Sequence, residues 1–329
     1  MNEQFPFKRL NGIPASQDDV RRRREHVKKI VIAHPDYSNL LSEIEDIHFY
    51  SRGSVKPDSL FLSGVAGVGK STLLEEYTSR FPRQIVNNNT VIPVLYSTVP
   101  VGATPKSVAS KLLYSLGDPA YEKGTEISQT SRLMNFIKKC KVELIIIDEF
   151  QHLLDRDTQH VLNKASEWVK SFCDEAGVPI ILCGFPESKK IFKFNSQLDR
   201  RFLMKLTMEG FHYYTREEQI EFRTFLKSID ERLPFVDRSS LASKQLADKL
   251  YYATNGLPSH LNKILYEATG LAAKSGNDSI DENHLYDAFN KLEVSTRPFV
   301  SNPFTIKDFN IVGAFEEELK NNEATKKII

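Results

Sequence analysis

Residues 64–71 read Gly-Val-Ala-Gly-Val-Gly-Lys-Ser, an octet between a short apolar run, Leu60–Ser63, and a segment of helical spacing, Ser71–Phe81, that Pro82 ends. No other feature constrains the chain as much. Gly64, Gly67 and Gly69 let a turn close around an anion with its N–H groups pointing inward, and the helix that follows adds the positive end of its dipole. Strand, loop and helix in this order, with Lys and Ser closing the loop, form the G-x-x-x-x-G-K-[ST] pattern of a phosphate cradle. Val65, Ala66, Val68 and Thr72 complete the candidate binding stretch. Lys70 is expected to reach the β- and γ-phosphates of a nucleotide, and Ser71 to offer its hydroxyl to Mg²⁺, which takes oxygen ligands.

A second segment supplies the other half of such a site. Leu144–Ile147 is apolar throughout, as in a strand buried on both faces, and Asp148 and Glu149 follow at its carboxyl end, where open α/β sheets bind ligands. Asp148 is expected in the magnesium shell and Glu149 as the group that orients and polarises an attacking water. Paired acids favour ATP over GTP chemistry, and no guanine-reading NKxD sequence occurs. ATP and Mg²⁺ are therefore the expected cofactors, with Lys70 and Glu149 as catalytic candidates.

The rest of the chain fits this arrangement. Strands are expected at Val91–Val99 and Pro179–Cys183, with helices at Tyr37–Ser51, Lys106–Leu116, Ser128–Lys141 and Gln159–Ala176 and a helix or turn at Glu187–Phe194. Thr104 and Pro105 read as an N-cap and first helical position, and Gly117 as a stop. Short apolar strands alternating with helices imply a parallel sheet in a three-layer α/β sandwich. After Met208 the strand signal fades, and helices are expected at Thr215–Ser228, Ser240–Tyr252, Leu257–Ala273 and Asp281–Leu292. Thr215 with Glu218 and Ser279 with Glu282 fit capping boxes. The expected division is a basic N-terminal arm or helix (1–36), an ATPase core (37–208), a small all-helical lid (209–293) and a tail (294–329) with an amphipathic segment at Ile311–Leu319.

Composition narrows the class further. The 44 Lys and Arg residues balance 43 Asp and Glu, which excludes a histone-like polycation but leaves room for a local basic surface. The first 30 residues hold eight Lys or Arg against four acids, and Arg21–Arg24 reads as a solvated helix face or a DNA arm. Cys140, Cys173 and Cys183 are widely spaced without a CxxC pair, so neither a disulfide framework nor a zinc site is expected, and a reducing cytoplasm fits. No segment has the apolar length of a signal peptide or a bilayer span.

Gln197-Leu-Asp-Arg-Arg-Phe202 follows the strand ending at Cys183 by the distance that separates sensor 1 from the arginine finger in AAA+ proteins. Arg200 or Arg201 would then stabilise charge on the transferred phosphoryl group of a neighbouring subunit. Two departures from the AAA+ pattern imply slow hydrolysis. Cys183 stands where sensor 1 is usually polar, and Ser259 stands at the sensor 2 position in Gly256-Leu-Pro-Ser-His260, with His260 and Lys263 as partial substitutes.

Over roughly residues 27–295 the motif set resembles the TnsC/TniB family of AAA+ transposition regulators. The likeness rests on His34-Pro35 with Leu40 and Leu41, on Thr104–Ser107 running to Leu113-Tyr-Ser-Leu-Gly-Asp-Pro119, on Asp148-Glu-Phe-Gln-His152, on Cys183-Gly-Phe-Pro-Glu187, and on Gln197–Phe202. It implies an ATPase that forms a ring or helical filament on double-stranded DNA and joins a target-selection complex to the transposase. Its expected partners are further copies of itself, transposase subunits and a TniQ-type adaptor, including CRISPR-associated versions, in the bacterial cytoplasm at the nucleoid. Lys106, Lys123 and Thr125 are the candidate contacts to the DNA backbone. The alternatives are an Orc/Cdc6-like initiator or helicase-loader ATPase, a STAND-type nucleotide-switched signalling protein, and a non-hydrolysing filament.

Overall fold

A computed structural model describes residues 7–51, 57–155 and 158–326, and the chain divides into two compact units. One runs from Pro35 to Glu209; the other joins the residues before 35 to those from 210 onward. Residues 53–58, whose composition reads as a loop between the first expected helix and strand, lie mostly outside the described residues.

In chain order, α1 (Gln17–Lys28) belongs to the second unit, and α2 (Pro35–Tyr50) opens the first. There follow β1 (Leu60–Ser63), α3 (Lys70–Ser79), β2 (Gln84–Val86), β3 (Asn89–Val91), β4 (Val94–Thr98), α4 (Pro105–Leu116), α5 (Glu126–Lys139) and β5 (Leu144–Asp148). Then come α6 (Gln159–Ala176), β6 (Ile180–Gly184), α7 (Ser196–Arg201) and β7 (Met204–Thr207), with 3₁₀ turns at Phe150–Leu153 and Pro186–Phe194.

Five strands form one sheet in the order β4-β5-β6-β1-β7, and every pairing is parallel. Each residue of β1, β5 and β6 is buried, so helices cover both faces of the central strands, as the expected α/β sandwich requires. Phe61, Ile145, Ile147, Ile180 and Leu182 share one core with the apolar faces of α4, α5 and α6. Register brings Ser63 beside Gly184 and Thr207, and Thr98 beside Asp148, so the carboxyl ends of the strands form one rim.

The apolar run expected as one strand over 91–99 is divided at Pro93, which has no N–H for a ladder. Upstream of it β2 and β3 pair as an antiparallel hairpin through Asn87 and Asn88, both at positive φ, the conformation of a tight two-residue turn. β7 was not legible: Met-Lys-Leu-Thr is short and half-exposed because it lies at the edge of the sheet. Thr104 caps α4 as expected, in a reciprocal box with Ser107.

The second unit is helical: α8 (Arg216–Asp230), α9 (Lys244–Thr254), α10 (Pro258–Ser275), α11 (Glu282–Phe289) and α12 (Ile311–Lys326), with α1 packed along α10. The Thr215–Glu218 box forms, but α11 is capped by Asp281 with His284 rather than by Ser279 with Glu282. Asp281 is the residue whose side chain reaches the third backbone N–H of that helix, which displaces the expected cap by two positions.

Residues 7–34, within the arm or helix expected at 1–36, carry α1 and are part of this unit. Gly12 and Ala15 donate backbone hydrogen bonds to the carbonyls of Gly276 and Ala273, and Val20 and Val27 lie in the helical core. Of the Arg21–Arg24 run, Arg21 is exposed beside Asp18, whereas Arg23 is 1% exposed and donates to Asp19 and to the carbonyls of Lys8 and Pro234. Arg24 pairs with Glu267 and stacks on Tyr266. The run is thus divided: Arg21 and Arg22 are exposed, as a solvated face would be, and Arg23 and Arg24 are engaged within the unit.

The segment from 294 onward also packs on the helices. Phe304 is fully buried in the same core, and the Arg297 guanidinium holds the Glu318 carboxylate with two hydrogen bonds. No helix among the described residues is long and apolar enough to cross a membrane.

Candidate functional site

The rim of strand ends carries the candidate residues. Gly64 leaves β1 with its N–H bonded to the Gly184 carbonyl, and a Cβ added to it would lie 2.4 Å from the Met208 carbonyl oxygen. That approach admits only glycine. Gly67 and Gly69 take φ of 85° and 110°, a region that side chains disfavour, and Gly69 stands as the N-cap of α3. The loop therefore turns straight into a helix N-terminus. Val65 and Ala66 are exposed, Val68 is buried beneath the turn, and Ser71 and Thr72 lie in the first turn of α3.

Lys70 is 6% exposed, and its ammonium donates to the carbonyl oxygens of Gly64 at 2.7 Å and Val65 at 3.1 Å. Its charge also sits 5.3 Å above the Phe185 ring. The amine is thus folded back on its own loop, bonded to carbonyls that offer no negative charge.

Asp148 ends β5 and is 1% exposed. Its Oδ2 accepts from the Tyr96 hydroxyl at 2.9 Å, and its Oδ1 from the Glu149 N–H at 2.8 Å. Glu149 itself has φ of 57°, an uncommon conformation for a non-glycine residue, where the chain leaves β5 for the 3₁₀ turn at Phe150–Leu153. Its Oε2 accepts a hydrogen bond from the Gln151 side-chain amide and lies 3.7 Å from Nε2 of His152, whose Nδ1 in turn faces Asp155 at 3.0 Å. Cys183, on the neighbouring strand, is fully buried; burial above all, and then the negative charge of Asp148, pushes its thiol well above the usual range.

The fold thus collects the 64–71 loop, Asp148 and Glu149 at the strand ends of one sheet. Tyr96 and Gln151 are the neighbours that sequence reasoning missed. Tyr96 gave no distinguishing signal, since Ser97 and Thr98 beside it on the strand also carry hydroxyls; Gln151 stood in the Asp148–His152 segment with no role attached.

Arg200 and Arg201 differ in setting. Arg201 on α7 pairs with Asp174 on α6, whereas Arg200 is exposed and makes no ion pair among the described residues. Lys106, in the first turn of α4, and Lys123 are both exposed; Thr125 is exposed and caps α5 by accepting from the Ser128 N–H at 3.3 Å. Ser259, His260 and Lys263 lie at the start of α10 in the second unit. There burial lowers the pKa of His260, and Lys263 stands over the Tyr266 ring.

A parallel sheet in this strand order, with a glycine-rich loop between its β1 and the helix behind it, followed by a helical unit, is an AAA+ fold, a nucleotide-binding architecture. Residues 22–211 match the family described as Bacterial TniB protein, and the chain belongs to that family. No curated protein matches it. Among solved structures the chain is similar to the Aeropyrum pernix ORC2 protein in its ADPNP-ADP complexes (TM-score 0.58, 15% identity, 82% of this chain and 73% of that one). It is similar also to Cdc6p from Pyrobaculum aerophilum (TM-score 0.59, 12% identity, 88% and 75%). A third is the Aeropyrum pernix ORC1 protein in complex with DNA (TM-score 0.56, 17% identity, 82% and 69%). At these identities the likeness is one of fold.

Proposed function

We propose that the chain is an ATP-hydrolysing regulator of DNA transposition that assembles head to tail on double-stranded DNA and links a TniQ-type target-selection complex to the transposase. The observation that carries the reading is the convergence of Lys70, Asp148 and Glu149 on the strand ends beside the 64–71 loop, in a member of the TniB family.

The donor set fits Mg-ATP. The backbone N–H groups of the loop and the helix start suit a polyphosphate, and Lys70 exchanges its two neutral carbonyl partners for phosphate oxygens. Ser71 and Asp148 would hold Mg²⁺, which neutralises charge on the phosphates. Glu149 accepts a proton from the attacking water, held in place beside a carboxylate, Asp148, that is already committed to Tyr96.

Arg200 is the better candidate for the finger acting on a neighbouring subunit, since Arg201 is engaged by Asp174 within its own unit. Head-to-tail use of one surface builds rings or filaments. Lys106, Lys123 and Thr125 are available for the phosphate backbone, which suits a protein that accepts many target sequences. Such an assembly works in the bacterial cytoplasm, at the nucleoid.

Steady-state turnover and negative-stain microscopy, with and without random-sequence double-stranded DNA, test the reading. Turnover and particle size should both rise with DNA, and Glu149→Gln should remain assembled without turning over. Should DNA change neither quantity, a nucleotide-switched signalling protein becomes the better description.

A further inference from the structure

We infer that Gln151 is a positioning residue for Glu149, fixing its carboxylate against the carboxyl end of β6; the inference rests on the ATPase reading above. The side-chain amide of Gln151 is used at both ends. Its Nε2 donates to Oε2 of Glu149, and its Oε1 accepts from the Phe185 N–H at 3.2 Å. The two partners dictate this orientation, because an ionised carboxylate only accepts and a backbone N–H only donates. A carboxylate at position 151 would lack the donor, an ammonium would lack the acceptor, and Asn would be one methylene too short to span both.

Three features make this contact a placed one. Among the described residues it is the only side-chain hydrogen bond to the Glu149 carboxylate, since His152 stands 3.7 Å away and is turned toward Asp155. Glu149 is open to such a restraint: its backbone is in the left-handed region and its side chain is 33% exposed, so its carboxylate is partly in solvent. β6 is also cut away where the amide passes. A Cβ on Gly184 would lie 2.8 Å from Oε1 of Gln151 and 3.3 Å from its backbone nitrogen.

Glu149 on β5's exit is thereby tied to the exit of the neighbouring strand, β6, through one neutral group. Movement at 184–185 is passed to the carboxylate that activates water, and the amide does this without adding a charge beside Asp148. Both ends of the Gln151 amide are taken up by Glu149 and the Phe185 N–H, so it acts through Glu149. Misplacing a catalytic group by about 1 Å can cost roughly 100-fold in rate, and loss of a supporting partner commonly costs about 10- to 100-fold.

The test uses the full chain with double-stranded DNA and three variants: Gln151→Leu, Gln151→Glu and Gly184→Ala. For each, kcat and KM for ATP, the affinity for a fluorescent ADP analogue, the lifetime of DNA-bound assemblies after an ATP chase, and the unfolding midpoint are measured. Both Gln151 variants should lower kcat about 10- to 100-fold and lengthen assembly lifetime, with KM and ADP affinity within about threefold and the midpoint little changed. Gly184→Ala, which displaces the amide from the other strand, should lower kcat in the same sense. A wild-type kcat in Gln151→Leu, or a fall in ADP affinity as large as the fall in kcat, overturns the inference while leaving the ATPase reading intact. Failure of the wild type to hydrolyse ATP, or full activity of Glu149→Gln, overturns both.

Discussion

The Tyr96 hydroxyl donates a 2.9 Å hydrogen bond to Oδ2 of Asp148, so the buried acid at the end of β5 is held by the neighbouring strand. Register pairs Tyr96 with Ile146, two residues before the acid. Burial, and then the charge of Asp148, raises the pKa of the phenol far above its usual value, so it stays a donor at every working pH. Tyr96→Phe leaves a buried carboxylate oxygen without that donor. We expect a loss of about 1–3 kcal/mol in unfolding free energy, read by urea denaturation, and a KM for Mg-ATP raised by about 10-fold or more. Unchanged values would show that the bond does not orient Asp148.

Arg200 and Arg201 should separate in a mixing experiment. Arg200→Ala is expected to bind ATP normally and to lose turnover on DNA by about 10³-fold, and an equimolar mixture with Glu149→Gln should recover part of it. Recovery occurs only if the arginine acts across a subunit boundary. Arg201→Ala removes a partly exposed pair with Asp174 and should cost stability of about 1 kcal/mol or less, with turnover retained.

Arg297 holds the segment leading to α12. Its side chain is 13% exposed and that of Glu318 is 7% exposed, so removing one partner strands the other charge. Arg297→Met should weaken the packing of α12 by about 3 kcal/mol or more. Limited proteolysis should then cut between residues 294 and 310 in the variant and spare the wild type.

Cys173 gives a pH dependence of defined sign. Burial pushes its thiol up to about 12, partly opposed by Arg201. The folded pKa exceeds the unfolded one, so folding favours the protonated thiol. Its contribution is complete below about pH 8.5 and is lost as pH rises from there toward 12. Unfolding free energy should fall above pH 8.5 by up to about 1.4 kcal/mol per pH unit from this group, and Cys173→Ala should flatten the profile. A variant whose stability falls as steeply as the wild type would refute the assignment.

The glycine-rich loop, the acid pair, the central strands and the capped start of α4 are legible in the chain alone. These depend on residues contiguous in the chain: three glycines that free a turn, a fully apolar run that must be buried on both faces, and a Thr-Pro pair that pre-sets a helix. What joins distant segments is settled only on folding. Tyr96 meets Asp148 across 52 positions, Gln151 reaches Phe185 across 34, and Arg23 reaches the Pro234 carbonyl across 211. Arg23 and Arg24 look no different in the sequence from the exposed Arg21 and Arg22 until another part of the chain supplies the carbonyls and acids that engage them, and an edge strand such as β7 has too little apolar surface to announce itself. Local conformational preference is written in neighbouring residues, whereas hydrogen-bond satisfaction of buried polar groups is settled only where the folded chain brings its partners together.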